Sequence, residues 1–126
     1  MLGLILTTQL VNYPLFLKVN QNSFTSYHQF YVKRISLIVV PVMLLELMIS
    51  FYLFYSYPTA LTILSFIILI MIFLSTLFIQ VPIHGSIEIF ADNNLFLKLI
   101  RTNWIRTVLW FIKGFILIKL FLKELI

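Results

Sequence analysis

A chain of 126 residues, 62% hydrophobic and 10% charged, is one domain too apolar to fold as a globule in water; soluble domains carry roughly 25% charged residues, and small globules cannot hide so much apolar surface. No cysteine is present, which excludes disulfides, thiolate nucleophiles and sulfur metal sites. The net charge of +5 does not point to nucleic acid, because the cations sit at the ends of the apolar stretches, where they read as topology signals and lipid headgroup contacts.

The first expected span covers residues 2–17. It is apolar but holds Thr7, Thr8, Gln9 and Asn12, and it is barely long enough to cross a bilayer. With no basic n-region and no small-x-small cleavage site it does not read as a signal peptide. It reads as a short, tilted helix or as the end of a longer one. A polar loop with Lys18, Asn20, Gln21, Asn22 and Ser23 follows. Ser23 is expected to cap a helix that starts before the membrane and carries Tyr27, His28, Lys33 and Arg34.

The second span is expected over residues 35–56, with a kink at Pro41. Between Glu46 and Glu88 there is no Asp, Glu, Lys or Arg, and Tyr57-Pro58 is the turn signal that breaks the run. A third span is expected over 59–80, ended or bent by Val81-Pro82. After a polar stretch (Gly85, Ser86, Glu88, Asp92, Asn93, Asn94) a fourth helix begins near Leu95, enters the membrane around Trp104 and spans 102–122. The expected fold is all-α, an integral membrane four-helix bundle in one transmembrane domain. The loops after spans one and three carry Lys18, Lys33, Arg34, Lys98 and Arg101. The positive-inside rule then places both polar loops in the cytoplasm and both termini outside, at the inner membrane in a bacterium.

Asn12-Tyr13-Pro14-Leu15 and Gln80-Val81-Pro82-Ile83 share an amide, an apolar residue, a proline and an aliphatic. Two pseudo-repeated helical hairpins would give this pattern. The preferred explanation is simpler: proline and amides are common where spans end.

Ionisable residues inside spans are functional candidates by default. Glu46 lies twelve residues beyond Arg34, and Lys113 twelve beyond Arg101. At 1.5 Å per residue both charges sit about 18 Å in from the same side. They are expected to meet as an intramembrane ion pair, which either locks two helices together or handles a proton or a polarised substrate. Asn103, Arg106, Thr107, Trp110, Lys113 and Gly114 share one face of span four, so that face points inward. Asn103 and Arg106 are donors placed to hold an oxyanion, an enolate or a carboxylate. Arg106 and Trp104 taken alone also fit a plain interfacial role, by snorkelling and anchoring.

A third cluster gathers near the cytoplasmic mouth: Gln9, Asn12 and Tyr13 from span one, Gln80 and His84 from span three. His84 is a candidate general base, whereas His28 reads as a solvated loop histidine. Two histidines without cysteine make a poor metal site, so no metal is expected. Phosphate-cradling loops, nucleophile elbows and His-Glu-x-x-His motifs are absent, and with three glycines a dinucleotide fold is excluded. Any ligand must sit among the helices or in their mouth.

At Gln80-Val81-Pro82-Ile83-His84 and Thr102-Asn103-Trp104-Ile105-Arg106-Thr107 the chain resembles a family of small four-span membrane proteins. Most bacterial members are uncharacterised; some fungal relatives are anthrone oxygenases, which oxidise polyketide anthrones without a known metal or flavin. The pattern is Val-Pro and a polar residue after span three, then an Asn-Trp or Trp-Asn element closely followed by Arg-Thr. Tyr13-Pro14 and the stretch from Phe24 to Arg34 extend the likeness more loosely.

The resemblance implies an oxidoreductase without cofactor, acting on a small hydrophobic, aromatic or quinol-like molecule in a polar intramembrane pocket. His84, Asn103 and Arg106 would be catalytic. Gln9, Asn12, Tyr13, Gln80, Trp104, Thr107 and Trp110 would bind substrate, and Glu46 with Lys113 would preorganise the site. The expected partners are the lipid bilayer and that ligand, not nucleic acid. Two other classes stay open: a structural or accessory subunit whose polar residues only join helices, and, last, a small-solute carrier.

Overall fold

The computed structural model describes residues 1–89 and 92–125. They form four helices, α1 (Leu2–Phe16), α2 (Gln21–Ser56), α3 (Ala60–Ile89) and α4 (Asn93–Leu125), and no strand occurs among the described residues. Two of them, over Asn22–Ser56 and Ala60–Ile89, are long and apolar enough to cross a membrane, while Leu2–Phe16 is apolar but shorter.

The helix starts follow from local chemistry. Asn20, not Ser23, caps α2: its side chain accepts from the Asn22 backbone N–H. Asn20 is the residue with extended backbone, which leaves its amide free to reach back, whereas Ser23 already lies in the first turn. Thr59 caps α3 in a reciprocal box with Thr62, whose hydroxyl also donates to Tyr57 O at 2.6 Å and so closes the α2–α3 turn. Pro41 removes one backbone donor, yet α2 runs through it from Gln21 to Ser56.

Val81-Pro82 does not end α3. The helix widens into a π turn over Thr76–Gln80, where the Val81 N–H reaches Thr76 O five residues back, and then continues to Ile89. A wide turn accommodates a proline that can neither donate nor tolerate a close carbonyl four residues earlier. α1 does the same over Thr8–Asn12, with the Tyr13 N–H on Thr8 O just before Pro14. The threonine that opens each turn bonds the carbonyl four residues back, Thr8 to Leu4 and Thr76 to Ile72, each at 2.8 Å. The shared pattern is therefore Thr-x-x-aliphatic-amide-x-Pro with a common geometry, more than the general composition of helix ends.

The helices pack side by side in up-and-down order. α4 lies against α3 and α1, whereas α2 leans mainly on α3 and is the most exposed. Two apolar clusters hold the two ends. Tyr13, Phe16, Phe24, Ile83, Ile87, Phe96 and Leu99 gather where α1 ends and α2 begins. Ile5, Ile68, Leu69, Ile72, Trp110 and Ile116 gather toward the other end. α2 meets α1 and α4 through its first turns and again at Glu46, and along the stretch between these contacts a space remains.

Candidate functional site

That space is a half-open cavity of about 430 Å³. α2 contributes a mostly apolar wall that includes Tyr31, Val39 and Met43. The facing wall carries the polar groups: Tyr13 from α1, Gln80 and His84 from α3, and Arg106 from α4. Thr8 and Thr76, which open the two π turns, line it as well. The turns thus aim residues from two helices at one volume, as such turns often do at functional sites.

Arg106 is the most telling group. It is 7% exposed, its Nε is buried with no hydrogen-bond partner, and among the described residues no carboxylate lies within 4.0 Å of it. A buried guanidinium without a counter-ion is costly unless something anionic comes to it. Gln80 adds a complementary vacancy. Its Nε2 donates to Thr102 Oγ1 at 3.0 Å, while its buried Oε1 has no donor.

His84 stands in a chain of contacts. Its Nε2 is 3.2 Å from the Tyr13 hydroxyl, and its Nδ1 is 2.8 Å from His28 Nε2. His28 is not solvated: it is 0% exposed, stacked on Phe24 and against His84. The burial has a helical cause, because Phe24, His28 and Tyr31 share the inner face of the first turns of α2. That spacing was available in the sequence. A hydrogen bond between two imidazoles needs one donor and one acceptor nitrogen, so the two rings cannot both be protonated while it holds. Among the described residues no group of three His, Cys, Asp or Glu is placed to hold a metal ion.

The other expected site residues lie elsewhere. Gln9 is buried between α1 and α4, where its Nε2 donates to Ile100 O at 3.0 Å and its Oε1 accepts from Asn103 Nδ2 at 2.8 Å and Thr107 Oγ1 at 3.3 Å. The Asn103 amide donor is therefore used between helices and does not line the cavity. Asn12 reaches Tyr31 at 3.2 Å and positions that wall from behind. Trp104 is exposed on the outer face. Lys113 Nζ donates to Glu46 Oε2 at 3.0 Å, joining α4 to α2. This pair lines a different cavity of about 310 Å³ with Trp110, Gly114 and the first residues of α1, so it does not contact the His84 site.

Compared with protein-family models, with curated proteins and with solved structures, the chain matches none of them.

Proposed function

We propose that the chain is a four-span integral membrane protein whose cavity binds a small, flat, hydrophobic molecule and removes a proton from it, as an anthrone oxygenase would. The observation that carries this reading is Arg106, buried without a carboxylate partner on the wall of a cavity of about 430 Å³, within the size range of small-molecule sites. The apolar wall from α2 suits an aromatic face. The exposed outer faces are apolar too, with Leu37, Met48, Tyr55, Phe78 and Phe115 outward, which suits lipid better than water.

With an anthrone as ligand, Tyr13 Oη takes a methylene proton as it passes its own to His84 Nε2. Arg106 faces the oxygen on which the enolate charge develops. The electron-rich enolate then reacts with dioxygen. Anthrone and dioxygen become anthraquinone and water, which balances without a resident cofactor. Gln80 Oε1 accepts from a ring hydroxyl.

The test is turnover. Protein in lipid nanodiscs is mixed with anthrone in air, and anthraquinone is quantified against protein-free nanodiscs. The wild type is expected to exceed the blank, and His84→Ala and Arg106→Ala to lose about a hundredfold or more, the scale of one proton-transfer or oxyanion group. A wild type equal to the blank, or variants equal to the wild type, rejects the oxygenase reading.

A further inference from the structure

Four side chains are in serial contact: Tyr13, His84, His28 and Glu88. Tyr13, His84 and Glu88 all border the cavity, and His28 is fully buried beside them. The His28 Nδ1, on the ring edge away from His84, has no hydrogen-bond partner and lies 4.0 Å from Glu88 Oε1. The Glu88 side chain is 44% exposed. Glu88 is one helical turn beyond His84 on the same face of α3, so one helix sets both ends of the path.

We propose that Glu88 and His28 are positioning residues that fix the tautomer of His84 and carry a proton from Tyr13 to the exposed carboxylate at the cavity rim. This rests on the reading of the cavity as a site of proton abstraction. The ionised Glu88 favours the His28 tautomer with N–H at Nδ1, facing the carboxylate. His28 Nε2 is then an acceptor, so His84 must carry its proton at Nδ1 to make the 2.8 Å bond. That leaves the lone pair of His84 Nε2 facing the Tyr13 hydroxyl. A carboxylate at the cavity rim thereby sets the base that faces Tyr13, two side chains away.

The same geometry exports the proton. As Tyr13 Oη gains a proton from the ligand, its own moves to His84 Nε2. The Nδ1 proton of His84 moves to His28 Nε2, and the Nδ1 proton of His28 moves to Glu88. Each step forms one N–H or O–H bond and breaks one, and the net change is one proton moved from ligand to carboxylate. The charged and titratable groups that bear on the pair are Tyr13 from α1, Tyr31 from α2, Glu88 from α3 and Arg106 from α4.

The experiment reads tautomers in the full chain without ligand, so it succeeds or fails independently of the oxygenase assay. Nitrogen-15 imidazole shifts of His28 and His84 are recorded in nanodiscs of phosphatidylcholine and phosphatidylglycerol. The wild type is expected to show both rings protonated at Nδ1, with Nε2 bare. Glu88→Lys replaces an acceptor by a donor and should exchange the protonated nitrogen in both rings. Glu88 is partly exposed, so this variant should fold. In a His28→Phe background, where the flat ring keeps the stack on Phe24, Glu88→Lys should leave His84 unchanged. An His84 tautomer that is the same in the wild type and in Glu88→Lys overturns the proposal. So does a change at His84 that persists without His28. If His28→Phe does not fold, the Glu88→Lys comparison alone decides.

Discussion

At the scale of single residues, burial decides what each polar group costs. Lys113 is 1% exposed and Glu46 26%, so the two ends of their ion pair are not equivalent. Removing Glu46 strands a buried ammonium, whereas removing Lys113 leaves a carboxylate that still reaches the surface. Breaking a buried pair costs about 3–5 kcal/mol. Glu46→Leu is therefore expected near that range, Lys113→Met clearly below it, and the double variant above Glu46→Leu in stability. Thermal unfolding in detergent measures all three, and a larger loss in Lys113→Met would refute the argument. The contact has a basis in the sequence, because Glu46 and Lys113 each lie twelve residues beyond an arginine and a rise per residue then sets them at matched heights. The lack of a counter-ion at Arg106 has no such basis. Sequence places a cation near the interface, but only packing shows that no carboxylate comes near it.

At the scale of elements, the joint between α1 and α4 rests on Gln9, which spends both ends of its amide on α4. Gln9→Leu leaves the Asn103 Nδ2 donor without its partner, at about 1–3 kcal/mol for a buried group left unsatisfied, while the Ile100 carbonyl keeps its helical bond. Adding Asn103→Leu removes one orphan and should restore part of the loss. If unfolding scans show the double variant less stable than Gln9→Leu, the bonds do not hold the joint. The inward face of α4 was legible from its spacing of three and four. Which of its polar groups meet a ligand and which meet another helix was not, because both uses demand the same residue types. Val81-Pro82 left open whether α3 ends or bends there, for a related reason. Val81-Pro82 has the composition of a helix end, and the π turn that lets α3 pass it depends on the threonine five residues before Val81, a pattern visible when the segment is set beside Thr8–Asn12.

At the scale of the whole molecule, the apolar residues point outward as well as inward. Leu37 and Tyr55 are 66% and 79% exposed, and α2 buries little of itself against its neighbours. In water such a surface would associate; in lipid it needs no cover. The absence of cysteine makes the arrangement testable, since single cysteines at Asn20 and Tyr57 report without background. An impermeant maleimide is expected to label one site from one side of sealed vesicles and the other from the opposite side. Labelling of both from the same side would rule out a membrane-spanning α2. The all-helical character and the α2–α3 turn at Tyr57-Pro58 follow from composition and turn residues. The gap beside the middle of α2, which creates the cavity, follows from side-chain packing along the helix and has no local signal.

The most direct test of the cavity as a proton-abstraction site leaves oxygen out. Anthrone is titrated into the protein in nanodiscs under argon, and the absorption of the bound ligand is recorded for the wild type and Arg106→Gln. The account predicts that the wild type shifts the bound ligand toward its enolate at a pH where free anthrone stays in the keto form. Arg106→Gln should bind the keto form alone. A bound ligand that keeps the keto spectrum in the wild type, or an enolate that forms equally well without Arg106, would contradict it.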